Sequence, residues 1–335
     1  MPHLKYLENI CEKAKKNPQS IIYPEASLDL RVLKGLIKAA EEKIVEPILI
    51  GKPKEISKLV KDNNLKLPQT ARIIDHTEKN TMYNYLLELF LDLRKHKGLK
   101  VKEAAKLMES PHYYASLLLK SDHGHGIVAG AVSTTAETFR PVFQIIKTKE
   151  KYHHASSFFF MIKGDQIYLF ADCAININPD VQTLAEIAID TAETAKLFNI
   201  QPKVALLSFS TKGSANSPET LKIQEALKLI KAKKPHLIVD GEMQVDAALV
   251  PEIAKTKAPN SKIKGDANIL IFPNLESGNI AYKLTQRLGK YQAIGPIVQG
   301  LKKPVNDLSR GCNIDDVFYI SAITSLQAQN IPFGL

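Results

Sequence analysis

The chain has 335 residues, 44% hydrophobic and 24% charged, more than one core usually organises, so two globular domains are expected and disorder is not. Its formal net charge is +10, yet the lysines are scattered and often sit beside acids, and Trp is absent, which argues against nucleic acid as a partner. Three widely spaced cysteines, Cys11, Cys173 and Cys312, exclude a disulfide framework and a paired-cysteine metal site, and no run reaches the roughly 18 apolar residues of a membrane span.

Residues 1–20 mix lysines with Glu8 and Glu12, so no signal peptide is expected there, and the chain reads as soluble and cytoplasmic. Ile21–Pro24 is a strand, followed by Glu25, Asp29 and Arg31 and then a helix through Val32, Leu36 and Ala40. Ile44–Ile50 and Ala71–Ile74 read as further strands, and Tyr83–Arg94 and Val101–Met108 as helices. Ile127–Val132 is a small-residue strand leading into Ser133, Thr134 and Thr135 and a helix carrying Arg140, where Pro141 predicts a break or kink. Ser156–Met161 and Ile167–Phe170 suggest an antiparallel hairpin about Gly164-Asp165. Asn178-Pro179-Asp180 reads as a helix start with Asn as the cap, and Leu184, Ala188, Thr191, Ala195 and Phe198 form its inner stripe. Val204–Phe209 is a buried strand, Ser217-Pro218-Glu219 starts another helix, and Leu237–Val239 and Asn268–Phe272 are two more strands. Ile280, Leu284 and Leu288 mark a helix, and the tail reads as a strand over Val317–Ser321 followed by a helix over Thr324–Ala328. Strands alternating with capped helices imply βαβ units and a mostly parallel sheet.

In such folds ligands sit beyond the carboxyl ends of strands, and several polar clusters fall at strand ends. Ser208–Ala215, with Ser210, Thr211, Lys212, Gly213 and Ser214, reads either as an anion-binding loop or as an ordinary polar βα connection; it lacks the nucleotide-triphosphate pattern. Residues 133–140 offer hydroxyls and Arg140, a guanidinium able to grip a phosphate with two bonds or simply a surface charge. Leu308–Asp316 is the richest in chemistry, with Ser309, Arg310 and flexible Gly311, and with Asp315 or Asp316 as a proton acceptor; no Gly-x-Ser-x-Gly elbow marks the serine as a triad nucleophile. Asp122–Gly126 holds His123 and His125, but no third ligand is evident, and no metal site is expected.

Longer motifs carry a resemblance. Residues 130–141 with 144–148, residues 172–179, 207–215 and 240–246, and residues 295–312 follow in order the motifs of the phosphate acetyltransferase and phosphate butyryltransferase family, the acetyl branch more closely. The resemblance spans about Ile21 to Gln329 and implies reversible acetyl transfer between coenzyme A and inorganic phosphate. It implies two α/β domains with mostly parallel sheets and an interdomain cleft, isocitrate/isopropylmalate dehydrogenase-like, assembled as a homodimer. We place the boundaries at 1–147 plus 297–335 for the domain built from both chain ends and 148–296 for the inserted one. By resemblance Arg310 binds the phosphoryl group, Ser309 stabilises the reacting species, Asp316 is the base toward the CoA thiol, and Arg94 and Arg140 line the site. Acetyl-CoA, CoA, acetyl phosphate and inorganic phosphate are then the partners, with no membrane, no metal and no permanently bound cofactor, since coenzyme A is a substrate.

The sequence also departs from the family pattern. Asp122-His-Gly-His-Gly126 replaces the usual Gly-Asp-Ala-Asp-Gly, so His125 stands at an acidic position, and a histidine expected near Ser133 is missing. Acyl chain length is therefore open: phosphate butyryltransferase is the rival, and a non-catalytic homologue a weaker one. A decarboxylating NAD-dependent dehydrogenase would need a nucleotide fingerprint and a metal-binding aspartate set, and neither is present.

Overall fold

The computed structural model describes residues 2–330, with side chains from residue 5 onward. The described residues divide into two compact units, one built from residues 5–149 and 301–330 and the other around residues 150–300.

The chain enters through α1 (Pro2–Lys15) and β1 (Gln19–Tyr23), all five residues of which are buried. Helix α2 (Leu30–Glu41) starts where the Asp29 side chain accepts the N–H groups of Arg31 and Val32, and it buries Val32, Leu33, Leu36 and Ile37. Then come β2 (Val45–Ile50), α3 (Pro53–Asp62), β3 (Arg72–Ile74), α4 (Thr81–Arg94), α5 (Val101–Leu107), α6 (Pro111–Lys120), β4 (Gly126–Ala129) and α7 (Thr135–Ile145). The first unit closes with the last two elements of the chain, which pack beside its opening ones. With the last strand of the chain, β11 (Val305–Asp307), its sheet runs β11-β4-β1-β2-β3, every pairing parallel.

The expected break at Pro141 does not occur. Helix α7 runs through it, because a Thr134/Glu137 capping box fixes the start and Phe139, Pro141, Val142 and Ile145 bury one face. Tertiary burial outweighs the lost backbone bond. Strand β4 also ends early, at Ala129, since Gly130 turns to φ +106°. An L side chain is strained at that angle, and a Cβ there would meet the Asp307 Oδ1 at 2.0 Å.

The second unit opens with β5 (Ser156–Lys163) and β6 (Gln166–Ala171), the expected hairpin, in which Lys163 faces Gln166 across Gly164-Asp165. Next are α8 (Val181–Leu197), β7 (Lys203–Leu207), α9 (Pro218–Lys233), β8 (Ile238–Met243), α10 (Val245–Leu249), α11 (Pro251–Lys257), β9 (Ile269–Ile271), α12 (Leu275–Arg287) and β10 (Gln292–Gln299). The cap of α8 is Asp180 rather than Asn178; its carboxylate accepts the Thr183 N–H at 2.7 Å. Phe209 lies beyond β7, exposed in the loop. The strand order is β10-β5-β6-β9-β7-β8, and this sheet is mixed: β10, β5 and β6 pair antiparallel, while β6, β9, β7 and β8 pair parallel. A two-residue turn between β5 and β6 allows no other sense.

The chain then returns to the first unit through β11 (Val305–Asp307) and α13 (Ile314–Gln329). The tail is thus one helix, not a strand and a helix. Its β-branched run, Val317 to Thr324, is helical because almost all of it is buried and an Asn313/Asp316 capping box nucleates it. Gly35 on α2 allows the close packing, since a Cβ there would meet the Val317 side chain at 2.5 Å.

Candidate active site

Three loops of the first unit leave the carboxyl ends of adjacent strands: 24–29 after β1, 130–134 after β4 and 308–313 after β11. One side chain ties them together. Arg31, in the first turn of α2, donates Nε to both Asp29 oxygens at 3.1 and 3.2 Å and a terminal nitrogen to Asp29 Oδ2 at 2.7 Å. Its other N–H groups reach the carbonyls of Arg310 and Cys312, both at 2.9 Å, and of Ala131 at 3.1 Å. A planar fork of five donors suits this task, and a lysine would not replace it.

Glu25 holds the middle loop from beneath. Its fully buried carboxylate accepts the N–H groups of Gly130 at 2.9 Å, Ala131 at 2.7 Å and Ser133 at 3.1 Å. His112 Nε2 on α6 lies 3.4 Å away, an ion-pair separation rather than a formed hydrogen bond. Burial opposes the charge on Glu25, but His112, the Ser133 and Ala131 N–H donors outweigh it, and the carboxyl titrates below its ordinary range.

Of the residues expected from the sequence, Ser133, Thr134, Ser309 and Arg310 fall on these loops, and Thr135 and Asp316 stand just beyond them on α7 and α13. Ser309 and Arg310 are exposed in the loop after β11, with Ser309 Oγ accepting the Gly311 N–H at 3.2 Å. Asp316 is half-buried in the first turn of α13, where Oδ2 accepts the Asn313 N–H at 2.9 Å. Burial pushes its carboxyl up, the Asn313 bond pulls it back, and neighbouring Asp315 adds to the rise. Asp315 instead pairs with Lys38 at 2.6 Å on the surface. Ser133, Thr134 and Thr135 start α7: Thr134 serves as its cap, and Thr135 Oγ1 donates to Asp307 Oδ2 at 3.4 Å. Arg140 is exposed one and a half turns further along, and Arg94 ends α4. Their positive charges both bear on Tyr113, whose hydroxyl donates to Gln144 at 3.1 Å, so these two arginines share one neighbourhood.

The loop 208–215 belongs to the other unit, and its groups are turned inward. Ser210 Oγ donates to the buried Glu242 at 3.0 Å, and the Gly213 N–H does so at 2.6 Å. Ser214 Oγ accepts the Thr211 N–H at 3.0 Å, Thr211 pairs with Gln244, and the Lys212 ammonium bonds Asp240 and the Gly241 carbonyl. An internal carboxylate thus occupies the donors read from the sequence as an anion cradle. His123 Nδ1 meets Ser121 Oγ at 2.9 Å and His125 Nδ1 accepts the Ser20 N–H at 3.2 Å, so these two histidines face different neighbours.

Sequence reasoning passed over Glu25, Asp29 and Arg31 as site residues, although their position directly after an apolar strand was a usable signal. Tyr113, Glu242 and Asp307 carried none, because each is defined by partners far along the chain.

The family "Phosphate acetyl/butaryl transferase" matches residues 5–325. A phosphate acetyltransferase of Bacillus subtilis is 49% identical over 317 residues, covering 95% of this chain and 97% of the relative. A solved phosphotransacetylase from Streptococcus pyogenes overlays with a TM-score of 0.94 at 42% identity, covering 98% of this chain and 99% of that one. The EutD phosphotransacetylase from Staphylococcus aureus gives a TM-score of 0.89 at 44% identity, with 97% and 99% covered. These overlays replace the isocitrate/isopropylmalate dehydrogenase-like expectation: the fold is that of the phosphotransacetylases.

Proposed function

The chain belongs to the phosphate acetyl/butyryl transferase family, and from that premise we propose how its residues divide the reaction. The enzyme transfers an acetyl group reversibly between coenzyme A and inorganic phosphate, acetyl-CoA plus phosphate giving acetyl phosphate plus CoA. In the direction of thioester synthesis the CoA thiol loses its proton to Asp316. The sulfur attacks the acetyl carbonyl, a tetrahedral oxyanion forms, the bond from carbon to the bridging oxygen breaks, and phosphate leaves. Arg310, Arg140 and Arg94 hold the phosphoryl oxygens, because a guanidinium stays charged throughout and meets two oxygens at once. Ser309 donates to the oxyanion. A thiol with a reference value of about 8.5 is only partly ionised at neutral pH, so a carboxylate raised toward it by burial is a better acceptor than an ordinary one.

The observation that carries this reading is the Arg31 fork, which fixes the loop bearing Ser309 and Arg310 against the loop that starts α7. Direct transfer also suits the cysteines. Burial pushes the Cys312 thiol up to about 11 and raises Cys173 too, so neither supplies a ready thiolate to carry the acetyl group. Lys212, Ser214 and the other residues of the 208–215 loop serve in this reading by keeping that loop's shape. A coupled assay with CoA and acetyl phosphate, read by thioester absorbance, tests the activity; butyryl phosphate alongside tests acyl preference, which we assign to acetyl.

We further assign the enzyme to the cytoplasm as a homodimer. All three cysteines are unpaired and, among the described residues, no helix is long and apolar enough to cross a membrane. Ile280, Leu284 and Leu288 are 58%, 51% and 78% exposed along one stripe of α12 and its C-cap, a surface suited to a second copy. A solution mass twice that of the chain would support it.

A further inference from the structure

Asp307 is the last residue of β11 and stands two residues before Ser309. It is 6% exposed, yet its Oδ1 has no hydrogen-bond partner, and Oδ2 takes a long contact from Thr135. Oδ1 packs against the Cα of Gly130, whose N–H is held by Glu25 on its other bond. Two buried carboxyls therefore press on one glycine, at the junction of the loops that carry Ser133–Thr135 and Ser309-Arg310. A lone buried carboxylate is costly, and burial without partners penalises its charged form most.

We propose that Glu25 and Asp307 are a positioning pair for the phosphate side of the site: Glu25 is a permanent anion that holds the 130–133 backbone, and Asp307 permits that arrangement only as the neutral acid. Ionising Asp307 places a second negative charge under Gly130, which repels Glu25 and weakens the grip on a dianion at Arg310. Burial first, and then the charge of Glu25, push the Asp307 carboxyl up to about 7, against weaker pulls from Thr135 and the Leu308 N–H. The groups around it come from every neighbouring element. The loop after β1 brings Glu25, with His112 of α6 behind it, and α2 brings Arg31. Helix α7 brings Glu137 and Arg140, α13 brings Asp315 and Asp316, the loop between β11 and α13 brings Arg310, and β4 brings no titratable side chain.

The inference rests on the phosphate site proposed above, and inorganic sulfate separates the two. Sulfate does not change charge between pH 5.5 and 8.5, so its inhibition constant against acetyl phosphate reports the site alone. We expect that constant to weaken about tenfold from pH 6 to pH 8 in the wild-type enzyme, the size of one unit of pKa coupling. In Asp307→Asn it should change less than twofold over that range. A variant that keeps the wild-type slope, or a wild-type constant independent of pH, would overturn the proposal for Asp307. Absence of sulfate inhibition at every pH would instead remove the phosphate site itself. Should Asp307→Asn fail to fold, the wild-type slope alone decides, read against His112→Gln: a slope that vanishes in that variant assigns the step to the histidine and contradicts the proposal.

Discussion

Arg31 directs every guanidinium donor at one carboxylate and three carbonyls, and this leaves Arg310 free to present its own guanidinium outward. The division between an arginine that builds and an arginine that binds is set by neighbours, not by residue type. Carboxyls divide in the same way. Glu25 is kept charged, whereas Asp316 and Asp307 are pushed toward neutrality, and each shift has a measurable sign. Asp316, in its proposed role as the base, must be ionised, so turnover should fall as pH drops through a value above the ordinary carboxylate range. Asp316→Asn should lose that acid limb together with most of the activity, by about 10²- to 10⁴-fold in kcat. For Asp307 the folded state binds the proton more tightly than the unfolded chain. Its contribution is full below about pH 4 and is lost as pH rises toward 7, by up to about 4 kcal/mol. Urea midpoints of wild type and Asp307→Asn should therefore diverge between pH 5 and pH 8, with the variant relatively more stable at the higher pH. Parallel curves would deny the shift.

At the scale of elements, capping and burial decide more than propensity. Helix α13 contains Val317, Ile320, Ile323 and Thr324, a composition that reads as strand, and it is helical because Asn313 and Asp316 close its first turn while α2 covers it. Helix α7 tolerates Pro141 for the same reason. Both helices carry proposed site residues: Asp316 lies in the first turn of α13 and Arg140 lies on α7. The contact between α2 and α13 is close enough that Gly35→Ala should force them apart. We expect a loss of about 1–3 kcal/mol, seen as a lower melting temperature, with turnover falling because Arg31 and Asp316 ride on the two helices. An unchanged melting temperature would mean that the helices have room to spare.

Across the whole molecule, what was legible in the sequence was what is local. The strand at Ile21–Tyr23, the Gly164-Asp165 hairpin and the Ser217-capped helix each declare themselves within ten residues. Strand β11 is three residues long and β10 is interrupted by Gly295-Pro296; neither pattern rises above its surroundings, and both are defined by pairing with distant strands. The period of Ile280, Leu284 and Leu288 announced the helix α12 but not which side of it is covered, and this stripe is exposed. The candidate site divides likewise. Arg140, Ser309 and Arg310 were singled out through long ordered motifs and Arg94 and Asp316 through the family resemblance, whereas Arg31, Glu25 and Asp307 are tied to backbone groups a hundred or more residues away. The account as a whole turns on a fixed cation at residue 310 meeting the phosphate. Its most direct test is thioester formation from CoA and acetyl phosphate by Arg310→Ala beside the wild type. Because the side chain is exposed, the melting temperature should be unchanged while kcat falls by about 10²- to 10³-fold. A variant that turns over at the wild-type rate would contradict the account.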